Sequence, residues 1–234
     1  MRIRGRRAAI AVAGLVSTGV LANAPAVAAP VRAGTAPKTV SKTVSKTVSV
    51  PAYSAVPEFG ALRADVNAEV RLLGPQAQRY VTGRSWRPGC PIAMTDLRVV
   101  MVRYADFSGE GREGPLLVHR THARKIARVM ESLYAARFPI AKILPVDEYG
   151  ADDDRSTLDN NTSAFNCRRA YGNTHWSRHA YGAAIDINPV QNPYVRADGT
   201  VLDPAAQRYL DRTVDSPGVI TAGDRVCQVL CVSD

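Results

Sequence analysis

The chain has 234 residues, 46% of them hydrophobic and 22% charged, an ordinary balance for a globular protein. Its 30 basic and 21 acidic side chains give a formal charge of +9. The basic residues are scattered and no nucleic-acid-binding motif accompanies them, so no nucleic-acid partner is expected.

Arg2, Arg4, Arg6 and Arg7 precede a small-residue apolar stretch from Ala8 to Leu21, and Ala26-Val27-Ala28 fits a small-x-small cleavage site. Residues 1–28 therefore read as a signal peptide cleaved after Ala28. The apolar stretch is about 14 residues long, short of the ~20 that cross a bilayer, so no membrane span is expected after cleavage. Cleavage removes four arginines and no acids, leaving +5. Residues 29–51 carry KTVS three times, at Lys38, Lys42 and Lys46, too little apolar surface to offset chain entropy. They read as a low-complexity tether, and residues 52–234 as one domain.

Within that domain, Leu62, Val66, Val70 and Leu73 recur at helical spacing and Gly74-Pro75 ends the run, which predicts a helix over 58–73. Residues 97–107, rich in Val, Met and Tyr, predict a strand, and the glycines of 108–115 a turn. Ile126, Val129, Met130, Leu133 and Tyr134 share one face of a helix expected over 118–138, closed by Pro139. A strand is expected over 140–148, a loop over 152–163 and a further strand over 183–188. Asp203-Pro204 is an N-cap followed by proline at the first helical position. Helices and strands interspersed without βαβ alternation predict an α+β fold.

Four cysteines in an exported chain permit disulfides. Cys90 lies in a Pro-Gly-Cys-Pro turn and Cys167 beside the segment described next, which makes them the more attractive pair. Cys227 and Cys231 stand four apart.

The informative segment runs from Trp176 to Asn188. His179 is a nitrogen donor, Asp186 is a carboxylate in an apolar strand-like run, and Gly182 permits a sharp turn between them. A carboxylate there is costly unless paired or metal-bound, and the two donors could face one point, as in a His/carboxylate zinc site. By spacing alone, a satisfied core histidine and a turn-capping aspartate explain the pair at least as well.

The string Ser177-x-His179-x-x-Gly182-x-Ala184-x-Asp186 resembles the SxHxxGxAxD motif of the VanY-like D-alanyl-D-alanine carboxypeptidase family, which includes L-alanyl-D-glutamate endopeptidases. The flanking runs 163–168 and 188–194 resemble the endopeptidase-type branch, and the similarity extends from about Trp86 to Arg225. The resemblance implies a small α+β domain with a central antiparallel sheet flanked by helices. It implies Zn2+ as cofactor, with His179 and Asp186 as two of three ligands. Arg168 would hold the substrate's polarised carbonyl or carboxylate, with Arg155 and Arg169 as substitutes. Ser177 would be a hydroxyl beside the metal that contacts substrate or supports a ligand, without acting as a nucleophile. The implied partners are peptidoglycan peptides, met by a secreted, wall-associated monomer whose positive charge suits an anionic wall.

The family takes its third ligand and its general base from a later acid-x-x-His element. The four histidines here are His119, His122, His175 and His179, and none follows Asp186. Asp224, Val226, Val229 and Leu230 read as the first turns of the helix that should precede that element. The expectation is therefore a site incomplete at its C-terminal side, with poorly packed last residues. His175, Cys227 and Cys231 are the substitutes considered for the third ligand. An active peptidase and a non-catalytic peptidoglycan-binding wall protein both remain open on these residues.

Overall fold

The computed structural model describes residues 53–196, 198–213 and 216–221. The expected signal peptide and tether, Cys227, Cys231 and the expected helix behind Asp224 lie outside the described residues.

The centre of the fold is a three-stranded antiparallel meander: β1 (Ala68–Leu72), β2 (Leu97–Ala105) and β3 (Gly111–His119), in that spatial order. β2 pairs with β1 from Ala68↔Val102 to Leu72↔Arg98, and with β3 from Leu97↔His119 to Ala105↔Gly111. Successive strand residues point to opposite faces, and β2 is apolar on both. Val100, Val102 and Tyr104 face a core shared with α2 (Ala123–Ala135), which contributes Val129, Met130 and Leu133. Leu97, Val99 and Met101 face a second core shared with Tyr80 and Val81 of α1 (Pro75–Val81), Phe59 and Leu73. Beyond the hairpin lie the short parallel pair β4 (Lys142–Ile143) and β5 (Asn161–Thr162), with α3 (Asp153–Leu158) between them. This is the expected α+β architecture with a small antiparallel sheet.

The helix expected over 58–73 does not form. A 3-10 turn spans Pro57–Phe59, and the chain is extended at β1. The guanidinium of Arg71 donates to the carbonyls of Glu58, Gly60 and Ala61, groups a helix would have bonded internally. The glycines of 108–115 mislead in the same way. The hairpin turn is confined to the residues between β2 and β3, and Gly114 lies inside β3, where a Cβ would collide with Ile143. α2 starts at Ala123, because Val118 and His119 finish β3 and His122 is the N-cap.

Only two residues of the expected strand 140–148 enter a ladder, and Pro145 leads instead into a 3-10 turn at Val146–Tyr149. The expected loop 152–163 contains α3 and β5. Residues 183–188 form no strand, although Asp186 exchanges both backbone hydrogen bonds with Ser163 at 2.9 and 3.1 Å. Asp203 caps a 3-10 turn, Pro204–Tyr209, by accepting the Ala205 N–H. Among the described residues no helix is long and apolar enough to cross a membrane.

Candidate active site

The motif folds as a capped turn followed by a short extended arm. Ser177 is the N-cap of a 3-10 turn, Arg178–Tyr181, and its Oγ accepts the His179 N–H at 3.3 Å. Gly182 ends the turn at φ +60°, and its carbonyl accepts the His119 N–H at 3.0 Å. A Cβ at Gly182 would stand 2.5 Å from the His119 nitrogen, so glycine is needed for both conformation and close approach. The arm then runs back beside Ser163 and presents Asp186.

These two backbone anchors bring the two predicted donors together. His179 Nε2 lies 3.1 Å from Asp186 Oδ2. The other ring nitrogen, Nδ1, is hydrogen-bonded to the Ala164 carbonyl, which can only accept. The proton is therefore fixed on Nδ1, and Nε2 is left to share a proton with Asp186 or to offer its lone pair to a cation. Burial alone would push the His179 pKa down, but the hydrogen bond and charge of Asp186 outweigh it and the net shift is upward. For Asp186, burial favours the neutral acid, yet His179 and then the Arg168 charge overcome it and hold the carboxyl below its usual range.

Both side chains line a cavity of about 220 Å³, together with Ser177, Arg168 and Asp153. Arg168 is part-buried and paired with Asp153 at 2.7 Å. The two substitutes considered for it stand elsewhere. Arg169 is stacked over Trp176 at 3.8 Å and donates to the Thr174 carbonyl, and Arg155 is exposed on α3. Neither lines the cavity. His175 is exposed outside it. His119 and His122 sit at the join of β3 and α2 with ring centres 6.1 Å apart. Cys167, next to Arg168, is joined to Cys90 by a disulfide with Cα atoms 5.8 Å apart.

Several cavity residues went unseen in the sequence. Asp153 was hidden in an apparent loop, and its only signal was the run Asp152-Asp153-Asp154. Tyr171 and Arg196 come from different loops and meet at the rim, with the guanidinium 4.4 Å above the ring. Tyr194, beside them on the lining, is largely exposed. No pattern within a single segment could have paired these residues.

Among the described residues no group of three His, Cys, Asp or Glu side chains converges as a metal cage. The donors that do converge are the imidazole nitrogen and the carboxylate of the motif. No curated protein and no solved structure matches the chain. Residues 171–227, which contain the capped turn and both donors, match the model of a peptidase family described as D-alanyl-D-alanine carboxypeptidase, and in that segment the chain is similar to this family.

Proposed function

We propose that the chain is a secreted, zinc-dependent peptidase that hydrolyses peptide bonds in the stem peptides of peptidoglycan. The observation that carries this reading is the meeting of His179 and Asp186 on a cavity wall, inside the segment similar to the carboxypeptidase family. The donor chemistry fits zinc: one imidazole nitrogen and one carboxylate oxygen face each other, and the imidazole's second nitrogen is oriented by a carbonyl. His179 and Asp186 would hold the ion, which when bound supplies a water of lowered pKa and polarises a scissile carbonyl.

The chain's own residues supply the rest. Arg168 presents a permanent charge with a fixed donor fork to a carbonyl or carboxylate oxygen of the peptide. Ser177 uses its hydroxyl to hold the His179 turn by accepting the His179 N–H, so it acts as a support and not as a nucleophile. The location that follows from this reading is extracellular or wall-associated.

A second reading, a wall protein that binds peptidoglycan peptides without cleaving them, is favoured by one observation. Among the described residues no third His, Cys, Asp or Glu joins the pair, and catalytic zinc normally takes three protein ligands. Calorimetric titration of Zn2+ into the full chain, with His179→Ala as control, separates the two when run beside incubation with purified stem peptides. The peptidase reading expects one zinc that depends on His179, together with cleaved peptide. Intact peptide bound without such a zinc supports the second reading, and neither binding nor cleavage overturns both.

A further inference from the structure

Arg168 is held unevenly. Among the described residues, its Nη2 forms an ion pair with Asp153 Oδ2 at 2.7 Å, its Nη1 reaches only the Arg169 carbonyl at 3.4 Å, and its Nε is buried without a partner. An arginine side chain has many rotamers to lose on being fixed. One strong contact therefore decides where this guanidinium sits.

That contact is itself anchored. Asp153 opens α3 just after Asp152, whose carboxylate caps the helix by accepting the Arg155 N–H at 3.1 Å. The second oxygen of Asp153 accepts from Asn166 Nδ2 at 3.4 Å, and the same amide nitrogen donates to the Ala151 carbonyl at 3.3 Å. Asn166 is buried, and its backbone N–H donates to the His179 carbonyl at 3.2 Å. Two hydrogen bonds through Asn166 and a closing ion pair thus link the backbone of His179 to Asp153 and the Arg168 guanidinium.

We propose that Asp153 is a positioning residue that fixes the Arg168 guanidinium relative to the His179–Asp186 pair. Its consequence for hydrolysis rests on the peptidase reading, whereas the ordering of Arg168 rests on geometry alone. Only a carboxylate accepts from both Asn166 and Arg168; an amide at 153 turns an NH2 group toward one of them. The Arg168 and Asp153 side chains are 28% and 29% exposed, so water reaches the pair only in part and its loss costs a modest amount of stability.

The test compares the full chain with Asp153→Asn, Asp153→Glu, Arg168→Ala and the Asp153→Asn/Arg168→Ala double variant. The readouts are stem-peptide hydrolysis with zinc, thermal unfolding, and the 15Nε–1H resonance of Arg168. A misplacement of about 1 Å is worth up to ~100-fold in rate. Asp153→Asn is therefore expected to lower kcat/KM about 10- to 100-fold, with Tm within about 4 °C of the parent. The double variant is no worse than Arg168→Ala alone, and Asp153→Glu recovers part of the loss. In the parent the Nε–H signal is sharp and slow to exchange, and in Asp153→Asn it broadens.

Additive losses in the double variant, or an unchanged kcat/KM in Asp153→Asn, overturn the proposal. If the parent hydrolyses no peptide, the peptidase reading fails, and the resonance alone decides the positioning role. Broadening in Asp153→Asn then sustains it, and an unchanged signal overturns it.

Discussion

His179 Nε2 and Asp186 Oδ2 lie 3.1 Å apart, each held from behind by the backbone around residues 163–164. The Ala164 carbonyl orients the imidazole, and the Ser163 peptide pins Asp186 from both sides. A neighbouring pair of residues thus anchors both the imidazole of His179 and the backbone that carries Asp186.

A ligand that binds only the folded state raises its stability, by about 2.7 kcal/mol at 100-fold excess over Kd. Zinc at that excess is expected to raise the Tm of the parent and to leave His179→Ala and Asp186→Ala unmoved, with a chelator reversing the rise. Scanning calorimetry with and without zinc checks this. An equal rise in all three proteins would place the ion elsewhere.

Gly182→Ala should break the turn that connects the donors. The residue sits at φ +60°, and the new Cβ would meet the backbone of His119 and Val118, which belong to β3 and cannot move aside cheaply. Left-handed strain and this clash together predict a loss of about 2 to 4 kcal/mol. Urea unfolding measures it, and a variant within 0.5 kcal/mol of the parent, roughly the scatter of neutral surface changes, would mean the turn relaxes freely.

The strongly periodic face of α2 and the apolar run of β2 were legible in the sequence because α2 buries one helical stripe, whereas β2 is buried on both faces and reads as a continuous apolar run. The false helix over 58–73 shows where such patterns deceive. Its apolar residues fit a helical period, but Arg71 claims the carbonyls of 58–61 from a distance that periodicity does not register. In the site, the motif residues could be read because they lie within one turn and one arm. Asp153 could not, because its role depends on an ion pair across 15 positions with a chain reversal between them.

The Cys90–Cys167 disulfide closes a loop of 77 residues and ends one position before Arg168. Loop-closure entropy at that length is worth roughly 4 kcal/mol. The Cys90→Ser/Cys167→Ser variant is expected to unfold at correspondingly lower urea, with an m-value no smaller than the parent's because the unfolded chain freed of its cross-link exposes at least as much surface. A lower m-value would instead show that the native state has loosened or that unfolding is no longer two-state.

Asp147 sets a pH dependence remote from the donors. It is 6% exposed, in the 3-10 turn before α3, and its Oδ1 accepts the Ser85 N–H at 3.1 Å. Burial raises its pKa from 3.8 to about 6, against smaller opposing effects of Ser85 and Arg84. Between those two values the folded chain holds a proton that the unfolded chain has released, so this residue's contribution to stability falls as pH rises. Above pH 6 the penalty is complete, at about 3 kcal/mol, and below 3.8 it vanishes. Asp147→Asn keeps an oxygen for Ser85 and removes the charge. It is expected to stabilise the protein by up to about 3 kcal/mol at pH 7.5 and by nothing near pH 3.5, flattening the slope between. Urea unfolding across that range measures it, and an equal gain at both ends would show that the carboxylate titrates normally in the folded state.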